Sequence, residues 1–262
     1  MPFVFRETGG VGFYEVSGWK DARGVFTTRR GGVSQPPFES LNLGAGSGDS
    51  PEVVQKNREL LDHALGLGGR GITTVRQVHG NEVYVYAGPD AARPGHGYDA
   101  IITDVRGAAI GVLTADCVPI LMHDPVRGAV AAVHAGWAGT LSGIAGRAVA
   151  EMSEHYGTDP SDVRACIGPS IGACCYEVDE KVMGLLRESL RGWWPELVAC
   201  TRPGHWLLDL WKANARVLVL AGLREDRVSV FGLCTACNPD KFYSHRRSGG
   251  RAGRMLAVSV LL

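Results

Sequence analysis

The chain has 262 residues, 45% of them hydrophobic and 21% charged, a composition that fits a folded globular protein and excludes a disordered one. Lys plus Arg and Asp plus Glu each total 27, and this zero formal charge gives no global attraction to nucleic acid or to an acidic membrane. The longest apolar runs are interrupted by Asp116 and His134, well short of the ~20 residues that a spanning helix needs.

The opening residues, Met1 to Glu7, lack the basic region and apolar core of a leader. Seven scattered cysteines, an odd number, fit a reduced compartment better than a disulfide framework, and the cytoplasm is the expected location. The length suits one domain over residues 1–262.

In chain order, strands are expected at 11–16 and 24–28, then a helix over 51–65. Ser50 is its N-cap, Pro51 takes its first position and Gly66 follows its end. Strands follow at 72–78, 82–86, 100–103 and 108–114, with two more flanking the turn Asp124-Pro125-Val126-Arg127-Gly128. Apolar residues at Leu141, Ile144, Ala145, Ala148, Val149 and Met152 predict a helix over 141–156, ended by Gly157. A strand at 163–167, helices at 180–190 and 210–221, and strands at 228–233 and 255–261 complete the reading. Strands outnumber helices and several are sequential hairpins, so the fold class is α+β, with mixed sheets in layers and helices on their outer faces. No glycine-rich phosphate loop follows a strand and opens a helix.

The apolar runs on either side of the Asp-Pro turn form a hairpin. With the turn centred between Pro125 and Val126, Cys117 and His134 lie directly opposite, at the open end. Three readings stay open for this pair: shared metal ligands, a nucleophile with its base, or a small buried cysteine beside a core histidine. His79 ends an apolar run before Gly80, a strand terminus of the kind that supplies ligands to open sites.

The segments Arg76-Gln77-Val78-His79-Gly80, Thr114-Ala115-Asp116-Cys117-Val118-Pro119 and Ala132-Val133-His134-Ala135-Gly136-Trp137 resemble the three signature motifs of the YfiH, or laccase-domain, family. Thr28-Arg29-Arg30-Gly31-Gly32, Ser40-Leu41-Asn42-Leu43-Gly44, Asp99-Ala100, Ile167-Gly168-Pro169 and Phe242-Tyr243-Ser244-His245-Arg246-Arg247 agree with it, from about residue 20 to the end. The resemblance implies that His79, Cys117 and His134 are catalytic ligands of Zn2+, with a fourth position left for water and copper possible as a substitute. It further implies a purine nucleoside phosphorylase and adenosine deaminase, acting on adenosine, inosine and methylthioadenosine with phosphate. The alternative is an amide hydrolase, through Cys117 and His134 or through zinc, that edits a UDP-linked muramoyl precursor of peptidoglycan. The implied partners are small molecules, with no nucleic acid and no membrane, and a monomer is compatible with this.

The sequence departs from the family pattern at Ala138, where a basic residue is frequent after Gly-Trp, at His245, where an aromatic is usual, and at Ser248-Gly249-Gly250-Arg251-Ala252-Gly253-Arg254. Arg29, Asn42 and Arg246 lie in glycine-rich or polar loops and are candidates to bind substrate or phosphate, since arginine offers a planar fork of donors. Asp116 is read as structural support. Cys234-Thr235-Ala236-Cys237 has zinc-finger spacing but needs two further ligands, and it is read, with Cys174 and Cys175, as structural thiols. Eight histidines without a His-x-His pair argue against a four-copper oxidase.

Overall fold

The computed structural model describes residues 2–90 and 95–262, so Met1, the first residue of the opening segment, lies outside the described residues. β1 (Phe3–Thr8), β2 (Val11–Val16) and β3 (Ala22–Thr27) form an antiparallel meander. Helix α1 (Pro51–Leu65) follows, then β4 (Thr73–Thr74), β5 (Val83–Val85) and β6 (Ala100–Thr103). β7 (Ala109–Thr114), β8 (Val118–Asp124) and β9 (Ala129–Ala135) lead into α2 (Trp137–Leu141) and α3 (Ile144–Tyr156). After β10 (Arg164–Ile167) and β11 (Glu177–Asp179) come α4 (Glu180–Ser189), α5 (Trp194–Leu197), β12 (Val198–Arg202) and β13 (His205–Leu208). The last elements are α6 (Leu210–Leu220), β14 (Val228–Val230) and β15 (Met255–Leu261).

Two six-stranded mixed sheets stack face to face, in the orders β1-β2-β3-β15-β7-β4 and β14-β10-β8-β9-β6-β5. Phe26, Val112 and Ala257 of the first meet Ile101, Leu121 and Ala132 of the second in the apolar layer between them. The outer face of the first sheet packs Leu256 and Val258 under Leu61 and Leu65 of α1. The outer face of the second packs Ile120 and Val133 under Ala145, Val149 and Leu218 of α3 and α6. β8 and β9 are therefore buried on both faces, which is why they read as unbroken apolar runs rather than alternating ones. The result is a helix–sheet–sheet–helix stack, the expected α+β architecture. No helix among the described residues is long and apolar enough to cross a membrane.

Local sequence explains the boundaries. Ser50 caps α1 by accepting from the Val53 N–H, and Gly66 closes it in the left-handed conformation at φ 68°. The helix expected over 141–156 is broken: Leu141 ends α2, and Gly143, at φ 78°, starts α3. The apolar period runs across the break, so periodicity alone joined the two pieces.

The β8–β9 hairpin also differs from the expected register. Asp124 pairs with Ala129 across a four-residue loop, with Val126 and Arg127 N–H groups bonded to the Asp124 carboxylate and Gly128 at φ 67°. His134 therefore faces Pro119, and Cys117 lies one step beyond the paired residues, diagonal to His134. The strand expected over 72–78 shrinks to β4. Beyond it the Gln77 side chain takes over the ladder: its amide donates to the Leu113 carbonyl at 2.8 Å and accepts from the Leu113 N–H at 2.7 Å. The small sheet β11-β13-β12 was not expected at all.

Candidate functional site

Three chain segments converge at one end of the sheet stack. The segment beyond β4 supplies His79, the tight β7–β8 turn supplies Asp116 and Cys117, and the end of β9 supplies His134. His79 and Asp116 are the two non-glycine residues with left-handed backbone among those described, at φ 61° and 89°. Such a conformation costs on the order of 1–3 kcal/mol and persists only where the surroundings enforce it.

At His79 the enforcing group is Asp99, whose side chain is fully buried at the start of β6. Asp99 Oδ1 accepts from the His79 N–H at 3.0 Å, and Oδ2 accepts from Gly80 at 2.7 Å and Val78 at 3.2 Å. Oδ1 of the same carboxylate also accepts from His134 Nδ1 at 2.8 Å. Burial works to raise the Asp99 carboxyl, but His134 and the Gly80 and Val78 amides outweigh it and hold it below the usual carboxylate range. With Nδ1 turned to Asp99, Nε2 is the His134 atom that faces Cys117, the arrangement of a candidate ligand held by an outer carboxylate.

At Asp116 the enforcing groups are Thr235, which donates to Oδ1 at 2.6 Å, and the Arg246 N–H, which donates to Oδ2 at 2.7 Å. Asp116 thus supports the turn and is not a ligand.

One donor atom from each of His79, Cys117 and His134 lies within 4.8 Å of the others. The Cys117 Sγ to His79 Nε2 separation is 3.8 Å, and the two imidazoles stand nearly perpendicular at 85°. Zinc bonds of about 2.3 Å to sulfur and 2.0–2.1 Å to nitrogen, at a tetrahedral angle, put those two atoms roughly 3.6 Å apart. Gly136 keeps the place open: a Cβ there would stand 3.0 Å from His79 Cδ2 and 3.2 Å from Cys117 Sγ. The residues therefore fit a three-ligand metal site.

The electrostatics agree. Burial would raise the Cys117 thiol, but His134 and His79 outweigh it and bring it down to about 6. Burial would likewise lower His134, but Asp99 and the Cys117 thiolate outweigh it and raise it to about 9. Thiolate and imidazolium thus coexist near neutral pH.

The centre opens into a cavity of about 410 Å³ lined also by Gly44, His245 and Arg254, a size that suits a small-molecule ligand. Burial pulls the Arg254 guanidinium below its ordinary range, against the negative Cys117 and Asp116. Asn42 is fully buried and builds this wall without facing the cavity. Its Oδ1 accepts from the Gly44 and Arg254 N–H groups, and its Nδ2 donates to Ser47 and Asp49.

Arg246 lies next to His245 in the chain, with its guanidinium over the Tyr176 ring and donating to the Glu177 carbonyl. Arg29 is not brought to the centre. It stacks on Tyr243, donates to the Glu39 and Pro239 carbonyls, and lines a different cavity of about 670 Å³. Sequence reasoning missed three contributors, Asp99, Gly136 and Arg254, although all three fall in or beside motifs it had singled out.

The family model described as multi-copper polyphenol oxidoreductase laccase matches residues 23–262. Purine nucleoside phosphorylase YlmD of Bacillus subtilis is 38% identical over 246 residues, covering 91% of this chain and 88% of the relative. The crystal structure of YlmD from Geobacillus stearothermophilus superposes with a TM-score of 0.92 at 36% identity, over 99% of both chains. That of the Bacillus licheniformis hypothetical protein YfiH does so at 0.91 and 33%, over 98% of this chain and 99% of the other. A laccase of several coppers needs more histidine ligands than these two imidazoles, so the family's description names a lineage and not this centre's chemistry. By its sequence, its fold and the convergence of His79, Cys117 and His134, the chain belongs to the multi-copper polyphenol oxidoreductase laccase family, the family of YfiH and YlmD.

Proposed function

We propose that this chain is a zinc-dependent enzyme of purine nucleosides, one domain over residues 1–262 acting in the cytoplasm. Its reactions are phosphorolysis of adenosine, inosine and methylthioadenosine, and deamination of adenosine. The observation that carries this reading is an incomplete donor set, His79, Cys117 and His134, at the floor of a cavity whose wall holds a half-buried arginine. Relatives named purine nucleoside phosphorylases supply the substrate class.

His79, Cys117 and His134 would hold the ion, and Asp99 fixes the tautomer and direction of His134. When bound, zinc would supply a Lewis-acidic position able to activate water near neutral pH; copper can occupy such N/S donors as a substitute. In this reading Arg254, which lines the cavity, takes the phosphate role that sequence assigned to Arg29 and Arg246, and Asn42 acts through its grip on the Arg254 N–H. Phosphate held there attacks the anomeric carbon of the sugar, and the purine leaves. Deamination draws on water alone, so the two reactions share one floor but only one needs the arginine wall.

The test is chromatography of products from adenosine, inosine and methylthioadenosine, with and without phosphate. Inosine should form from adenosine without phosphate, free base should require it, and Cys117→Ala should give neither. Wild-type protein that yields neither product sinks the proposal.

One observation favours a second reading: a thiol at about 6 beside an imidazole at about 9 is the pairing of a cysteine nucleophile and its base. Release of an amino acid from a UDP-linked muramoyl precursor, without nucleoside turnover, would put that reading first.

A further inference from the structure

A second cluster of soft donors shares no residue with the first. Cys174, Cys175, Cys234 and Cys237 place all four sulfurs within 4.8 Å of one another. Two separate loops supply them, and the fold brings these together. β10 and β14 pair in parallel, and just beyond them Ser170 bridges to Cys234, with the Thr235 N–H donating to the Ser170 carbonyl at 3.0 Å.

Each loop is shaped to present two thiols. In the first, the Cys175 and Tyr176 N–H groups both fold back onto the Gly172 carbonyl at 3.0 Å. Gly172 itself has no room for a side chain, because a Cβ would stand 2.8 Å from the Trp211 ring. In the second, the Asn238 side chain donates to the Cys234 carbonyl at 2.8 Å and closes the Cys-x-x-Cys turn. The Gly172 N–H donates to Cys234 Sγ at 3.3 Å, a contact typical of thiolate ligands.

Cys237 Sγ lies 3.5 Å from Cys174 Sγ and 3.4 Å from Cys175 Sγ. A tetrahedron of four sulfurs about 2.3 Å from zinc has edges of roughly 3.8 Å. The cysteines are all free thiols, and these two distances, with all four sulfurs within 4.8 Å of one another, are close to what a shared tetrahedral ion requires.

We propose that Cys174, Cys175, Cys234 and Cys237 form a closed, all-thiolate zinc site that clamps the loop before β11 to the loop after β14. With four protein ligands it leaves no position for substrate, so its role is structural. The clamp bears on the first centre. Thr235, inside the Cys-x-x-Cys turn, holds Asp116, and Tyr176, next to Cys175, underlies Arg246. Loosening it frees the turn that presents Cys117.

The test has two arms and does not depend on turnover. Cys174, Cys237 and Cys200 are all exposed in the fold, and the first arm uses wild-type protein purified under reducing conditions. Alkylation followed by mass spectrometry should label Cys200 at once, and Cys174 and Cys237 only after a strong chelator. In the second arm, metal analysis should find one zinc fewer in the Cys174→Ser, Cys237→Ser variant than in wild type. The Cys117→Ala, His134→Ala variant should keep a zinc whose X-ray absorption shows sulfur neighbours alone. Labelling of Cys174 and Cys237 at the Cys200 rate in untreated protein overturns the site, whatever the fate of the variants. A Cys237 disulfide, iron in place of zinc, or unchanged metal in the Cys174→Ser, Cys237→Ser variant does so equally.

Discussion

Asp99 and His134 are joined twice: the His134 main-chain N–H donates to the Asp99 carbonyl at 2.7 Å, and its Nδ1 donates to the Asp99 carboxylate at 2.8 Å. One residue pair thus ties the end of the β6–β9 ladder to the orientation of the His134 imidazole in the candidate centre.

Asp99→Asn keeps the size and the backbone link but offers one acceptor where the carboxylate serves four N–H donors. Zinc affinity should fall about 10- to 100-fold, the usual effect of losing a ligand's outer partner. Competition with a chromophoric chelator measures it, and unchanged affinity would remove Asp99 from the site.

In metal-free protein the Cys117 thiol lies below its ordinary range, so the thiolate is present above pH 6 and lost as pH falls through about 6. The rate of iodoacetamide labelling at Cys117, followed by mass spectrometry, should have its midpoint there. His134→Ala removes a principal stabilising partner and should move the midpoint upward, towards the ordinary thiol range of about 8.5. A midpoint already there in the unsubstituted protein contradicts the thiolate–imidazolium pair.

Gly136 has φ −67°, a backbone that alanine adopts freely. Gly136→Ala should therefore leave the melting temperature nearly unchanged while its Cβ pushes on His79 and Cys117. Displacing ligands by a fraction of an ångström should cost about tenfold or more in turnover. Equal losses of stability and activity would mean that the glycine serves the fold.

Arg254→Ala deletes the guanidinium but keeps the N–H that Asn42 holds. Phosphate-dependent release of free base should drop roughly thirty- to a thousandfold, the rate equivalent of about 2–4 kcal/mol, with deamination largely spared. Arg29→Ala, which removes a stack on Tyr243 and two carbonyl contacts, should act on stability instead. Wild-type phosphorolysis in Arg254→Ala would return the anion site to Arg246 or Arg29.

Where structure is decided locally, the sequence is a close guide. Ser50, Pro51 and Gly66 mark α1 to the residue, and the apolar run 255–261 is β15. Register is harder. The four-residue loop after Asp124 depends on two side-chain hydrogen bonds and a left-handed Gly128, and its two extra residues moved Cys117 from opposite His134 to a diagonal position.

The three donors stood out through their motifs. Asp99 lay in a motif as well, but its role stayed hidden, because its work is to bind main-chain amides that no periodicity reveals. The four cysteines of the second cluster are separated by most of the chain's last third, and only the parallel β10–β14 pairing makes them neighbours. The strands of the small third sheet are short and bury few residues, so they carry little apolar signal.

β15 lies between β3 and β7, in the middle of its sheet. Its pairing with β3 joins Leu261 to Ala22 and so closes a loop of almost the whole chain, the slowest kind of contact to make. A ribosome releases the segments that build the Cys117–His134 hairpin long before it releases β15, and Arg254 arrives only with that strand. The side chains of His79, Cys117 and His134 are thus made early, but Thr235 and Arg246, which hold the Asp116 turn beside Cys117, and the cavity wall at Arg254 come only near the end. Vectorial synthesis therefore delivers the three donor side chains first and the frame that orders them last.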